Sequence, residues 1–403
     1  MKLADLQKIH AAGLITDEQQ QRIVAHFGLK EEGSRFLAII STVGAVLVAS
    51  GVILLISANW EQIPKFVKLA VGLALLLGAH AGGWYLREVR KEYLKTAEAL
   101  HLVGSILFLA NIALVGQIYH LSSRPPNAIL LWWAGFAALP WLLRSKAQFV
   151  LLLLAFGVWF GMEAAQRDSL LHVREVHEVA LLSLLGLLYF GAGGWLRRTS
   201  FASFAGAGEK LGLLVFHGFL YPFSLKFFHD SPWERSRPET HGDLVFYVFA
   251  VLALGVVAAQ LARDERLDRQ WRWTWVAVLV ACVGMMALSL SGVLTVPTDY
   301  WFRRESLASG LVALAWFVLC LVQIQAGLQL RSSFLVNLSI AGLALNLITT
   351  YLQLIVSMAQ TGLMFVVSGV FLIALGVYLE KKRRALLHRF QSPASPPPAP
   401  AAS

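Results

Sequence analysis

The sequence predicts an all-α integral membrane protein with about twelve transmembrane helices, both termini in the cytoplasm and a short N-terminal cytoplasmic helical hairpin. Three observations carry this prediction. Of the 403 residues, 57% are hydrophobic and only 14% are charged, whereas about a quarter of a soluble domain is charged. The apolar residues form runs close to the roughly 20 residues that cross a bilayer. The basic residues lie in short clusters between these runs. Such a composition excludes an ordinary cytosolic enzyme, a nucleic-acid binder and a disordered protein.

Twelve stretches of the chain reach or approach the length of a transmembrane helix. The fourth, fifth and seventh are short or interrupted. In chain order the stretches are Phe36–Ser57, Pro64–Tyr85, Glu98–Tyr119, Asn127–Leu143, Gln148–Met162, Val179–Leu196, Leu211–Phe228, Leu244–Leu261, Trp273–Leu294, Leu307–Gln325, Phe334–Leu354 and Gly362–Leu379.

Lys and Arg are divided unevenly between the connections of these helices. With the N-terminus in the cytoplasm, 24 of the 34 Lys and Arg residues lie in cytoplasmic segments, which leaves 10 on the opposite side. Cytoplasmic loops of membrane proteins are enriched in these two residues. The division therefore predicts that both termini are cytoplasmic, and it explains the net charge of +10 without a nucleic-acid partner.

The N-terminal residues 1–33 precede the first predicted transmembrane helix and have an amphipathic pattern. A first short helix ends at Gly13, and Thr16 with Gln19 forms a capping box that opens a second. The apolar face of the first helix carries Leu3, Leu6 and Ile9. Two interpretations remain open: a solvated hairpin that rests on the membrane or on a loop, and an element that docks a cytoplasmic protein.

Composition also assigns the remaining segments of the chain. Residues 34–380 form the predicted transmembrane bundle, and residues 381–403 form a cytoplasmic tail that is basic at first and then rich in Pro, Ala and Ser, which predicts disorder. The two cysteines, Cys282 and Cys320, lie within apolar runs and are expected to be packing residues. No signal peptide is expected, because the first apolar run begins only near Phe36.

Several short motifs lie in the first third of the chain. The first helix and its exit read VGAVLVASGVILLISANWEQIPKFVK over Val43–Lys68, and the third helix ends with ANIALVGQIYHLS over Ala110–Ser122. A Gly-Leu-Ile-Thr segment followed by two acidic residues begins at Gly13. Over about residues 10–145 the chain resembles the bacterial membrane proteins of domain of unknown function 2157. The resemblance implies a multi-pass protein of the bacterial inner membrane and assigns no activity to any residue.

Two of these motifs are predicted to lie on the same, periplasmic side. Two interpretations are open. The first is that these residues are purely structural, because aromatic residues populate membrane interfaces and amides cap helix ends. The alternative is a polar pocket that binds a headgroup, a sugar or a peptide. The residues of this candidate site are Asn59, Trp60, Gln117, Tyr119 and His120.

Polar side chains within the hydrocarbon form a second set of candidates, because they need partners there. The third helix carries Glu98, His101, Gly104, Ser105, Phe108 and Asn111 on one face, which is expected to look into the bundle. Further candidates are His80, His217, Asn346, Thr349, Thr350 and Gln353. Hydrogen bonding between helices, at about 1 kcal/mol for each bond, is the alternative to a functional role.

The sequence lacks the residues that ion-driven transport, ATP hydrolysis and metal binding require. No acidic residue lies near the middle of a span, which disfavours ion-driven transport, and there is no phosphate loop for an ATPase. His172 and His177 are five residues apart, which on a helix places the rings on different sides and predicts no metal site. Glu163 and Asp168 belong to outer loops that are expected to be solvated. We therefore predict no catalytic residue, metal or cofactor.

Three functional hypotheses follow, in order of preference. The first is a protein that binds or moves an amphiphile, such as a lipid or lipid-linked glycan, through a periplasmic pocket that also includes Asn111 and Asn346. The second is a scaffold or assembly subunit that docks a cytoplasmic protein through residues 1–33. The third is a membrane-embedded transferase or hydrolase. Membrane lipids are the expected partners in every case.

Overall fold

The structure, a computed structural model, describes residues 12–13, 15–27, 60–91, 93–121, 124–225, 240–291 and 304–354, together with His10, Phe228 and most of 369–384. Helices are the only regular secondary structure in these ranges. The contacts divide the chain into two units, residues 1–71 and 72–403. The helices are α1 (Asp17–Phe27), α2 (Lys65–Trp84), α3 (Leu94–Ile118), α4 (Pro125–Phe136), α5 (Leu139–Leu143), α6 (Lys146–Ala165), α7 (Glu175–Leu196), α8 (Ala202–Leu220), α9 (Thr240–Ala262), α10 (Arg269–Leu290), α11 (Arg304–Gln329) and α12 (Ser333–Leu354).

Helix α1 begins with the predicted capping box. The backbone N–H of Gln19 donates to Oγ1 of Thr16 at 3.4 Å, and the backbone N–H of Thr16 donates to Oε1 of Gln19 at 3.0 Å. These two bonds satisfy donors that the first turn of a helix leaves unpaired. Gly13 has a φ of 72°, which suits its predicted place at a helix end. Residues 1–9, with the first predicted helix, lie outside the described residues.

Nine segments of the described chain are long and apolar enough to cross a membrane. They correspond to the second to sixth and the eighth to eleventh predicted spans. The first span, Phe36–Ser57, and most of the last, Gly362–Leu379, lie outside the described residues. The nine segments are Lys65–Arg90, Leu94–Ile118, Pro125–Leu143, Lys146–Ala165, Glu175–Leu196, His241–Ala262, Arg269–Leu290, Leu307–Gln329 and Ser333–Gln353.

The seventh predicted span differs most from the structure. The sequence predicts Leu211–Phe228, but α8 extends over Ala202–Leu220 and is followed by a short 3-10 helix at Tyr221–Ser224. Pro222, which has no N–H to donate, lies where the helix was expected to continue. The two charged residues that shifted the predicted start, Glu209 and Lys210, are accommodated inside α8, and Glu209 pairs with Arg197.

Helix α7 is the centre of the second unit. About 67% of the membrane-length stretch of α7 is buried inside the protein, whereas only 6% of the stretch that contains α2 is buried. Its glycines allow α8 to approach until the two backbones touch. A Cβ placed on Gly186 would lie 2.4 Å from the backbone nitrogen of Phe216, and one on Gly212 would lie 2.3 Å from that of Phe190. Small residues at such crossings are typical of helix packing in membranes.

Candidate functional site

Two histidines meet between helices α2 and α3. Nδ1 of His80 lies 3.1 Å from Nδ1 of His101, and the ring centroids are 5.4 Å apart. Where the two helices cross, a glycine on each helix lies against the histidine ring of the other. A Cβ on Gly104 of α3 would lie 2.6 Å from the His80 ring, and one on Gly83 of α2 would lie 2.9 Å from the His101 ring. Each ring therefore occupies the space that a glycine leaves on the opposite helix.

The short contact requires a single proton between the two Nδ1 atoms. A hydrogen bond between two Nδ1 atoms needs one proton, so one neutral ring donates from Nδ1 and the other accepts. The donating ring then has a lone pair on Nε2, and the accepting ring has an N–H there. The pair thus offers its surroundings one donor and one acceptor, and exchanging the tautomers exchanges their places. Nε2 of His101 is buried and has no hydrogen-bond partner among the described residues.

A polar track, consisting of Glu98, Ser145, Gln148 and Ser105, leads from one end of the bundle to the histidine pair. Oγ of Ser145, the N-cap of α6, donates to Oε1 of Glu98 at 2.5 Å. One turn further along α6 and two turns along α3, Oγ of Ser105 lies 3.0 Å from Oε1 of the fully buried Gln148 and 3.1 Å from the carbonyl oxygen of His101, and its one proton serves either oxygen. Nε2 of Gln148 has no partner among the described residues. The track therefore contains an unused donor, in addition to the unpartnered Nε2 of His101.

Neighbouring groups hold the track in place. The indole N–H of Trp132 on α4 donates to the carbonyl oxygen of Ser105 at 2.6 Å. At the end of the bundle, Nη1 of Arg87 donates to the carbonyl oxygen of Leu143 at 2.6 Å, which satisfies a carbonyl at the end of α5. Helices α2, α3, α4 and α6 are thus joined by hydrogen bonds around this one cluster.

A cavity of about 500 Å³ adjoins the histidine pair. We call it the histidine cavity. His80, His101 and Ser105 form its polar wall, and the remainder is apolar. Its volume lies within the range of small-molecule sites, roughly 300–1,000 Å³, which are mostly apolar with a few placed polar groups. The apolar wall consists of Leu76, Trp84, Phe108, Gly135, Phe136 and Leu139.

Asn111, on the predicted polar face of α3, bonds to the backbone of α2. Its Nδ2 donates to the carbonyl oxygen of Gly72 at 3.1 Å and to that of Leu107 at 2.8 Å. A Cβ on Gly72 would lie 2.4 Å from the Asn111 side-chain oxygen. The Asn111 amide therefore joins two helices, which agrees with the structural interpretation of hydrogen bonding between helices.

The polar residues of the eleventh predicted span join other helices. Nδ2 of the buried Asn346 donates to the carbonyl oxygen of Ala313 at 2.7 Å, and Oγ1 of Thr350 donates to Oδ1 of Asn346 at 3.1 Å. Nε2 of Gln353 donates to the carbonyl oxygen of Ser224 at 3.1 Å. Asn346 and Asn111 thus have different partners on different helices.

His217 belongs to a separate buried network. The indole N–H of Trp316 donates to Nδ1 of His217 at 2.8 Å, so Nε2 carries the proton of the neutral ring and donates to Oε1 of Gln323 at 2.9 Å. Oγ of Ser339 reaches the same oxygen at 3.3 Å. All four side chains are buried, and Nε2 of Gln323 has no partner among the described residues.

The Gly-Gln-x-Tyr-His motif forms the end of α3. His120 has a φ of 50°, in the left-handed region, and the N–H of Leu121 donates to the carbonyl oxygen of Gly116 at 3.0 Å. This pattern stops a helix. Gln117, Tyr119 and His120 are exposed. Trp60 begins a 3-10 helix, Trp60–Gln62, whereas Asn59 and the side chain of Trp60 lie outside the described residues. The expected pocket at these residues stays a prediction.

The outer-loop carboxylates that were expected to be solvated include an ion-paired group. Arg124 contacts Oε1 of Glu163 at 3.0 Å and Oδ2 of Asp168 at 2.9 Å. The hydrogen bond that Arg124 donates to Glu163 raises the pKa of Arg124. No cluster of three potential metal ligands occurs among the described residues. His177 instead contacts Asp243 at 3.0 Å, and His172 lies in the turn before α7.

Glu163 and Asp168 are expected to differ in their effect on stability. The Glu163 side chain is 13% exposed and that of Asp168 is 64% exposed. Glu163→Gln should therefore lower the free energy of unfolding by about 1–2 kcal/mol, and Asp168→Asn by less than about 0.5 kcal/mol. Thermal unfolding of the two variants at low salt and in concentrated salt measures both effects. Equal losses would contradict the assignment of Glu163 as the main partner.

Residues 7–149 match the model of a family described as predicted membrane protein (DUF2157). The resemblance that the motifs indicate is confirmed over this range. The DUF2157 region contains the whole polar track and the histidine cavity, and it ends one residue beyond Gln148. No curated protein and no solved structure matches the chain.

Sequence reasoning named Glu98, His101 and Ser105 but missed their partners on α6. In the sequence Gln148 is only the first residue of the fifth predicted span, and Ser145 lies three residues before it, so neither was named as a candidate. Their spacing, Ser-x-x-Gln before an apolar run, is itself a capping signal. Oγ of Ser145 does accept from the backbone N–H of Gln148 at 3.3 Å. That signal places both residues at the first turn of α6, although not against α3.

Proposed function

We propose that this membrane protein binds an amphiphile with a neutral, hydroxyl-bearing headgroup in the histidine cavity. The observation that carries the proposal is the His80–His101 pair on the cavity wall. A hydroxyl group both donates and accepts, and the pair offers one acceptor and one donor. Nε2 of His101 is buried and has no partner among the described residues, and a hydroxyl bound there would satisfy it in either tautomer.

The pair favours a neutral headgroup over a charged one. Because the Nδ1 atoms share one proton, the two rings cannot both be cations while the contact persists, and so the pair presents at most one positive charge to a carboxylate or phosphate. A cationic headgroup would find only one acceptor on the pair, the lone pair of the Nε2 that carries no proton. An uncharged hydroxyl loses least on leaving water for this site.

The apolar wall supports an amphiphile rather than a small polar metabolite. Trp84, Phe108 and Leu139 provide surface for an alkyl or isoprenoid chain. His80 lies ten residues before Arg90, the last residue of the membrane-length segment Lys65–Arg90, which is about 15 Å at the rise of an α-helix, and the cavity therefore lies at the level of the hydrocarbon. With the N-terminus cytoplasmic, this is the cytoplasmic half of the bilayer, and not the periplasmic face expected from Asn59 and Gln117. Movement of the amphiphile across the membrane stays a prediction.

Photo-crosslinking tests the proposal. The full-length protein in lipid nanodiscs is exposed to a diazirine-bearing long-chain alcohol, and labelled peptides are mapped by mass spectrometry. The alcohol should label the α2 and α4–α5 segments around Leu76 and Leu139, and unlabelled alcohol should compete. Leu139→Trp should fill the cavity and suppress labelling. His80→Phe keeps the ring but removes its hydrogen bonds, and should reduce labelling roughly fivefold, which corresponds to about 1 kcal/mol.

Two controls make the result decisive. Leu142→Trp changes a residue of α5 that is 74% exposed, and should leave labelling unchanged. The diazirine-bearing fatty acid of the same length should label the site more weakly than the alcohol. Equal labelling of the wild type, Leu139→Trp and His80→Phe would overturn the proposal, and stronger labelling by the acid would refute the preference for a neutral headgroup.

A further inference from the structure

Three connections of the second unit meet at one end of the bundle. They are the α7–α8 turn with Arg197 and Arg198, the α9–α10 turn with Arg263 and Arg266, and the α11–α12 turn with Arg331. Two neighbouring cavities of about 500 and 340 Å³ open there, and we call them together the arginine basin. All three connections were assigned to the cytoplasmic side by the count of basic residues.

The basin has an excess of positive charge. Its walls carry three carboxylates, two of which are already paired: Glu209 with Arg197, and Asp264 with Arg266. Burial alone would raise the pKa of Asp264, but the hydrogen bonds and charge of Arg266 lower it below its ordinary value. The third carboxylate is Glu265. The six cations of the walls are Arg197, Arg198, Lys210, Arg263, Arg266 and Arg331.

Two of the remaining cations are held in place without a carboxylate. The Arg263 guanidinium lies 4.6 Å from the centre of the Trp195 ring. Arg198 donates from Nη2 to the carbonyl oxygen of Arg263. Neither arginine forms an ion pair with a carboxylate in the described part of the chain. Because their side chains are already ordered, less conformational entropy is lost when an anion binds them.

The smaller of the two cavities adds apolar surface and unused polar groups. Phe190, Leu213 and Leu335 line it together with Trp275. The indole N–H of Trp275 is buried and has no partner among the described residues, and the same holds for Oε1 of Gln260, which lines both cavities. A polar group left unsatisfied in this way carries a cost that a ligand can remove.

We propose that the arginine basin binds a net anionic phosphate headgroup, one with no attached ammonium, carried on an apolar body, with Arg198 and Arg263 as its principal contacts. Arginine presents a planar set of donors that matches phosphate oxygens, and it binds them more strongly than neutral donors do. The apolar wall of the smaller cavity receives the attached body, and the Trp275 N–H donates to an oxygen of the ligand. This site is separate from the histidine cavity and does not depend on the function proposed there.

Native mass spectrometry of the detergent-purified full chain tests the proposal. The probes are short-chain phosphatidylglycerol, phosphatidylcholine with the same chains, and inorganic pyrophosphate. The wild type should bind one phosphatidylglycerol in preference to phosphatidylcholine. Arg198→Gln/Arg263→Gln should bind it at least about tenfold more weakly, because two charge-assisted contacts are lost. Arg144→Gln/Lys146→Gln removes two exposed cations that do not line the basin, and should bind as the wild type does.

The arms of the experiment separate the two sources of phosphate. Retention of phosphatidylglycerol in the presence of excess pyrophosphate supports a lipid, whereas displacement by pyrophosphate supports a soluble phosphate compound. A thermal unfolding midpoint within about 2 °C of the wild type shows that the double variant is folded, and Trp275→Phe, which removes only the indole N–H, provides a second, milder test. Equal binding by the wild type and both basin variants, or equal binding of the two lipids, would overturn the proposal.

Discussion

Gly212→Ala is expected to lower the free energy of unfolding by about 3 kcal/mol, the upper part of the range for overpacked cores. The added methyl group would lie 2.3 Å from the backbone nitrogen of Phe190 and 2.6 Å from the carbonyl oxygen of Gly186. Both contacts are backbone atoms of α7, which cannot turn away as a side chain can. The two helices must therefore separate, and the central packing of the second unit must loosen.

Matched glycines on the same helix provide the control. Gly206 and Gly218 of α8 have no heavy atom within 4 Å of an added Cβ. Gly206→Ala and Gly218→Ala should leave stability unchanged or raise it slightly, because alanine favours a helix more than glycine does. Thermal unfolding in one detergent measures all four proteins. If Gly212→Ala unfolds at the temperature of the two controls, the close contact of α7 and α8 is wrong.

Much of this fold follows from hydropathy alone. Nine predicted spans have their helices in the structure because a run of about 20 apolar residues has few other ways to satisfy its backbone. The contact between α7 and α8 was also within reach, since Gly208 and Gly212 have the four-residue spacing of close helix pairs. Hydropathy did not place α8 correctly, because it cannot anticipate that Arg197 partners Glu209 and lets the helix begin nine residues earlier.

The candidate site was less accessible to sequence reasoning. Helical periodicity placed Glu98, His101 and Ser105 on one face of α3, and the structure gives that face partners on α2 and α6. The identity of those partners depends on which helices are neighbours, and spacing within one helix carries no such information. Likewise, Arg198, Arg263 and Arg331 stand on three connections far apart in sequence. Counting charges assigned them to one side of the membrane but not to one basin.

His217→Leu is expected to lower the free energy of unfolding by about 2–4 kcal/mol. Leucine has a similar size, so the main loss is the hydrogen bond that the indole N–H of Trp316 donates at 2.8 Å. That donor is buried in the bundle, where no water replaces the partner, and a buried donor without a partner costs about 1–3 kcal/mol. The substitution also removes the hydrogen bond that Nε2 of His217 donates to Oε1 of Gln323. Exposed His241→Leu is the control, with little expected change.

Gln323→Leu tests the same network from its other side. This substitution deletes the amide oxygen that His217 and Ser339 contact, but it also deletes an Nε2 that has no partner among the described residues. The loss of stability should therefore be smaller than that of His217→Leu. Because the two residues share one hydrogen bond, the double variant should lose less than the sum of the single losses, by about 0.5–3 kcal/mol. Thermal or denaturant unfolding of the four proteins measures this coupling. Losses that add within about 0.3 kcal/mol would mean that the two side chains act independently, and that the hydrogen bond between them contributes nothing to the stability of the bundle.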